Sequence, residues 1–211
     1  MSLVPEKANL QRIGLTVFNN DRIDVDLGGR IGRTIDSVAS ARLSAARPQW
    51  SIKQVTYNRD ALIARMNGPG LGRAYDGERL FLDLADLCRA NRVDALFVVR
   101  PWRSNDPHYD GVGVLLRTLS SNPPPQITVH SDVALFVIGS NGQVIARSRA
   151  GREPRKLVDA KVLGIEYELK DNLRPDILGH LSDAMIEQLT KSLNSMFDGL
   201  VMCKKGTCAQ R

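Results

Sequence analysis

Aromatic side chains are scarce in this chain of 211 residues, at 5%, and cysteine occurs three times. So few aromatics leave little material for the stacking platforms that bind single-stranded nucleic acid, and three cysteines do not make a disulfide scaffold. Long apolar runs are missing as well. The longest, such as Ala95-Leu96-Phe97-Val98-Val99, falls far short of the roughly 20 residues that a membrane-spanning helix needs. Dense basic blocks are also missing. Lys and Arg outnumber Asp and Glu by 29 to 23, a formal net charge of +6, but the arginines are spread from Arg12 to Arg211. Charge spread in this way reads as solvated surface, so neither a nucleic-acid partner nor a transmembrane segment is expected. The start, Met1-Ser2-Leu3, has no basic residues, apolar stretch or small-residue cleavage site. It reads as residues joined to an already trimmed polar lead, from which a signal peptide or lipid anchor has been removed.

The composition that is present, 43% hydrophobic and 25% charged residues at a mean hydropathy of -0.20, suits one globular domain rather than a disordered chain. The expected organisation is a flexible lead over 1–9, a single domain over 10–200 and a tail over 201–211. Ile13, Leu15 and Val17 alternate with polar or small residues before Asn19-Asn20-Asp21, which reads as a strand over 10–18 ending in a turn. After Gly28-Gly29, the spacing of Ile31, Ile35, Val38, Ala41 and Ala45 predicts a helix that stops at Arg47-Pro48. Trp50, Ile52, Val55 and Tyr57 predict a further strand, and Ala61 to Met66 a short helical stretch running into the glycine-rich loop Gly68 to Gly72. Leu80, Phe81, Leu84, Leu87, Cys88 and Asn91 mark a second amphipathic helix. It feeds the apolar run Ala95 to Val99, which reads as a central strand covered on both faces. Val112, Val114 and Leu116 form another strand. Ile127 to Ile138 and Val144 to Ala150 flank Asn141-Gly142, a strong hairpin signal. Leu163 to Leu169 alternates as a strand, and Leu178, Leu181, Met185, Leu189, Leu193, Met196 and Leu200 step along one long C-terminal helix. The fold class is therefore α/β (α+β): a single mixed sheet with helices packed against it, a βαβαβ start, then antiparallel strands and a terminal helix.

Chemistry-bearing residues gather after the apolar strand. Arg100, Trp102, Arg103, Asp106, His108 and Tyr109 lie in a loop at its carboxyl end, where ligands of open α/β sheets bind. A tryptophan among arginines is the composition of an interface anchor, so this loop is the candidate partner-binding surface. Asp106, His108 and Asp110 alternate but lack a further strong metal ligand. Gly28 to Gly32 sits at a helix start and Gly68 to Gly72 is glycine-rich, yet neither completes a phosphate-binding motif. His130 shares a strand face with Thr128 and Asp132, while His180 precedes Asp183 by three positions on a helix; neither brings a nucleophile with it. Cys88 falls on an apolar helix face, and Glu166 with Glu168 on an exposed strand face. No catalytic residue, cofactor or metal is assigned. Cys203 and Cys208 can close a small disulfide loop if their Cα atoms come within about 4.4–6.8 Å, which an oxidising periplasm permits and the cytosol does not.

The pattern Asp94-Ala95-Leu96-Phe97-Val98-Val99, then Tyr109-Asp110-Gly111-Val112-Gly113, then Val133 to Ile138 with Gly142-Gln143-Val144-Ile145-Ala146, carries a resemblance. With the element order and the terminal helix, it resembles small bacterial envelope proteins over Asn9 to Leu200. Their fold is shared by the amino-terminal domain of the Tol-system translocation protein, the curli-secretion lipoprotein and the activator lipoproteins of peptidoglycan synthases. The resemblance implies a non-enzymatic domain, periplasmic or outer-membrane associated and often lipid-anchored, that binds or assembles with other envelope proteins. It carries over no functional residue, and this chain lacks the lipobox cysteine at its start. The alternative reading is a cytosolic protein or enzyme that binds a phosphorylated small molecule at one of the glycine loops.

Overall fold

The computed structural model describes residues 1–14, 20–67, 77–102, 110–117, 126–150, 156–158 and 175–202. Strand β1 (Lys7–Ile13) pairs antiparallel with β2 (Asp21–Asp26), placing Leu10 opposite Ile23. The first strand thus lies earlier than the alternation over 10–18 indicates. The second strand precedes the first helix, where the sequence pattern shows only Ile23 and Val25 among charged neighbours. Helix α1 (Arg30–Ala46) starts after two left-handed glycines, Gly28 and Gly29, and buries Ile31, Ile35 and Ala39 one turn apart. Helices α2 (Arg59–Asn67) and α3 (Gly77–Asn91) follow. The Trp50–Tyr57 segment between α1 and α2 forms no strand. Its four apolar residues do not keep a period of two, so no register presents them all to one sheet face.

Strands β3 (Ala95–Pro101), β4 (Gly111–Arg117), β5 (Gln126–Gly139), β6 (Val144–Arg149) and β7 (Lys156–Val158) complete most of the sheet. They are followed by helix α4 (Pro175–Asp198) and the short β8 (Val201–Met202). The centre is β5 rather than β3. Along one edge of β5, β4 pairs with Gln126–Asp132 and β3 with Val133–Gly139, end to end and antiparallel to it. Along the other edge, β7 pairs with its first half and β6 with its second. The β5–β6 hairpin turns at Asn141-Gly142 as its sequence indicates: Gly142 takes φ +80° and the Asn141 Oδ1 accepts the Gln143 N–H at 3.0 Å. Because β1 runs parallel to β4, the sheet is mixed, and the molecule is an α+β domain with its long helix at the C-terminal end.

The residues of 1–9 are packed rather than loose. Ser2 bridges Val99 in parallel, and Leu3 and Val4 are buried. Two successive aliphatic side chains supply enough apolar area, about 1.5–3 kcal/mol each when fully buried, to hold a short segment down. Tyr57 fastens the same segment: its hydroxyl donates to the Ser2 carbonyl at 2.9 Å and accepts the Ser2 N–H at 3.0 Å.

Two cores lie on opposite faces of β5. Ile127, Val129, Val133 and Leu135 pack under α1 and α4, joined by Leu10, Val114 and Leu116. α4 contributes Ile177, Leu181, Met185, Leu189, Leu193 and Met196, spaced by three or four. On the other face, Ala134, Phe136 and Ile138 pack against Leu80, Leu84 and Cys88 of α3 and Met66 of α2. Helices α2 and α3 therefore cover the second half of β5.

Candidate functional site

β3 ends and β4 begins at the same point of β5, its midpoint, so the loop between them springs from the middle of the sheet. Both ends are fixed there. The Trp102 N–H donates to the Asp132 carbonyl at 2.9 Å, and Gly111, paired with Asp132, takes φ +73°. A side chain at position 111 would be strained whatever the space, because L residues rarely adopt that conformation.

Side chains from three strands meet beside this loop. The Arg100 guanidinium lies 4.5 Å from the centroid of Phe136, and that of Arg149 lies 4.8 Å from the centroid of Trp102. The register explains the grouping: Arg100 and Arg149 both sit opposite Ala134, on neighbouring strands to either side of β5. Trp102 is half-buried and packs against the α3-side core, so it is a wall of the loop's base rather than a free-standing anchor. Arg103, Asp106, His108 and Tyr109 lie outside the described residues, as do Cys203, Cys208, Gly68 to Gly72, Glu166 and Glu168. Of these candidates the structure brings together Trp102 and Arg100, which lies on β3 and not in the loop because it continues the ladder opposite Ala134, and it adds Arg149, which sequence spacing does not link to them. The hairpin at Asn141-Gly142 is the signal that connects Arg149 to this place.

A polar row continues along the same sheet face. Asn9, Gly113 and His130 are in register across β1, β4 and β5. His130 is 1% exposed and Asn9 7%. A Cβ at Gly113 would stand 2.3 Å from the Asn9 carbonyl oxygen and 2.8 Å from His130 Nε2, so glycine here lets the imidazole lie across the strand. Thr128 and Asp132 flank His130 at two-residue spacing, as the strand reading indicates. Among the described residues no three His, Cys, Asp or Glu side chains gather as a metal site.

The remaining candidates have structural partners. The carboxylate of Glu6 accepts the N–H groups of Ile31 at 3.1 Å and Gly32 at 2.9 Å, and Arg59 pairs with that carboxylate. The anion position at the Gly28–Gly32 helix start is therefore filled by the chain's own acid, as the partial positive charge of a helix N-terminus favours. His180 is exposed and Asp183 is engaged by Arg30 at 2.6 Å, so these two do not form a pair that could act together. Cys88 is buried, and its thiol donates to the Ile138 carbonyl at 3.7 Å. Burial raises its pKa, the direction that suppresses the nucleophilic thiolate.

Together these features define an α+β domain in which β3 ends and β4 begins at the midpoint of the central strand. The chain matches no family model, no curated protein and no solved structure. No helix among the described residues is long and apolar enough to cross a membrane.

Proposed function

We propose that this chain is a non-enzymatic domain of the bacterial cell envelope, periplasmic or outer-membrane associated, that works by contact with envelope proteins through its β3–β4 loop. The observation that carries the reading is the footing of that loop. Both of its ends are tied to Asp132 of the central strand, and Arg100 and Trp102 are braced at its base by Phe136 and Arg149. A loop positioned by a rigid scaffold is the usual place for binding residues. The envelope compartment rests on the sequence resemblance, and Cys203 with Cys208 is the pair that an oxidising compartment would join.

The phosphorylated-ligand alternative loses the better placed of its two glycine loops, because Glu6 already occupies the helix start at Gly28–Gly32. A thermal-shift screen with nucleotides separates the two readings. A ligand present at 100 times its dissociation constant would add about 2.7 kcal/mol, and the envelope reading expects no shift. The contact reading is tested by capture from envelope extracts with the wild-type chain and the Trp102→Ala/Arg103→Ala variant. Trp102 packs against the α3-side core, so the variant is compared at a temperature where it is still folded: loss of the captured protein there, reproduced by Arg103→Ala alone, supports the reading, and unchanged capture removes the loop as the contact surface.

A further inference from the structure

Every residue from Ser44 to Gln54 is exposed, and this stretch holds two of the exposed large hydrophobic side chains, Trp50 at 48% and Ile52 at 40%. Trp50 is held in place from below. Its ring centroid is 6.3 Å from that of Phe97, which is 6.5 Å from that of Phe197. Three rings of an aromatic-poor chain thus meet at one point, and one of them projects outward. The Arg47 guanidinium lies 5.9 Å from the centroid of that indole.

Within the segment itself the charge is all basic. No acidic residue occurs between Asp36 and Asp60, while Arg42, Arg47, Lys53 and Arg59 do. Arg42 is matched by Asp198 and Arg59 by Glu6. Asp36 faces the terminal ammonium of Met1 at 4.0 Å and accepts a hydrogen bond from the Gln54 side chain at 3.2 Å, so it borders the segment at its far end. That leaves Arg47 and Lys53 on either side of Trp50 and Ile52. Lys53 donates to the Asn91 carbonyl at 3.1 Å, which brings the exposed Arg92 at the end of α3 alongside, with Asp94 as the acid on that side.

We propose that the Ser44–Gln54 segment docks on a bilayer surface rich in anionic lipid headgroups. Every residue of the run is open to solvent, so a broad surface can meet it along its length. An indole and an aliphatic side chain between cations match the membrane interface, where tryptophan sits at headgroup level and Lys and Arg meet the anionic lipids. Each cation near such a surface contributes about a fivefold gain in binding, so a patch of this size binds weakly and acts as a second attachment beside another. The inference is independent of the β3–β4 loop, whose residues it does not use.

The test is sedimentation of the full chain with vesicles of phosphatidylglycerol or of phosphatidylcholine, at low and high salt, with tryptophan emission read in parallel. The chain should sediment with phosphatidylglycerol only and be released by salt, with a blue shift that Trp50→Phe removes. Arg47→Glu/Lys53→Glu should lower partitioning by about tenfold or more, and Trp50→Ser/Ile52→Ser should also lower it. Arg22→Glu/Lys191→Glu makes the same charge change away from the segment and should leave partitioning within about twofold of wild type. The proposal is overturned by sedimentation with phosphatidylcholine, by absence of binding to phosphatidylglycerol, or by equal losses in the two charge-reversal variants. Binding of soluble polyglutamate as tight as that of the vesicles would also overturn it, and would assign the patch to an acidic protein.

Discussion

Single residues set the limits of what the sheet can hold. Gly113 is the clearest case, because an added methyl would meet backbone on one side and an imidazole on the other. The side chain of His130 can give way, but the Asn9 carbonyl oxygen cannot move without breaking the β1–β4 pairing. Gly113→Ala should therefore destabilise the fold by about 1–3 kcal/mol, at the cost level of an overpacked core, measurable by urea denaturation. Tyr57 makes a prediction with a pH sign. Burial raises its pKa above the usual 10.0, so its contribution to stability is present below about pH 10 and is lost as pH rises through the raised value. Tyr57→Phe should lose about 1–2 kcal/mol near neutrality, from two hydrogen bonds to Ser2, and should show less alkaline destabilisation than the wild type. An equally steep alkaline loss in the variant would reassign that titration to another group. Cys88 should resist iodoacetamide in the folded chain and label on unfolding; rapid labelling without unfolding would contradict its burial.

Elements show which signals a sequence carries locally. The β5–β6 hairpin and helices α1, α3 and α4 were legible because their determinants are close in sequence: Asn141-Gly142 at a turn, Ile31 and Ile35 on one helix face, Leu181 and Met185 on another. β2 was not, since Asp21, Arg22, Asp24 and Asp26 leave only two apolar positions, and its pairing to β1 is a tertiary fact. The Trp50–Tyr57 segment misled for the opposite reason, because β-prone side chains there serve the α1–α2 connection, with Val55 buried and Trp50 exposed. Glu6 gave no signal of its own, since nothing local connects an acid in the lead to a helix that starts more than twenty residues later. Its replacement is a direct test of that link. Glu6→Ala removes an acceptor for two α1 N–H groups and the partner of a half-buried Arg59, and should cost about 1–2 kcal/mol, as for loss of a good N-cap. A change of only a few tenths would mean that water serves the helix start equally well.

The whole molecule is organised by one strand, and this was the least legible level. The apolar run Ala95 to Val99 reads as central because both its faces are covered, and they are; yet the centre is β5, which β4 and β3 pair along the whole of one edge and β7 and β6 along parts of the other. Burial is written in the side chains, whereas pairing order is not. The same limit applies to the site. Arg100 and Trp102 are legible as close neighbours after the apolar run, but that Arg100 is still on β3, and that Arg149, Phe136 and the Asn9–Gly113–His130 row join them, follows only from strand register. The envelope reading covers both compartment and mode of action. It is tested most directly by expressing the gene's full-length product in its host, fractionating the cells, alkylating without reductant and weighing the protein from each fraction. Recovery with the envelope, with Cys203 and Cys208 unalkylated as a pair, is the expected result. Recovery from the cytosol with both thiols alkylated would contradict it.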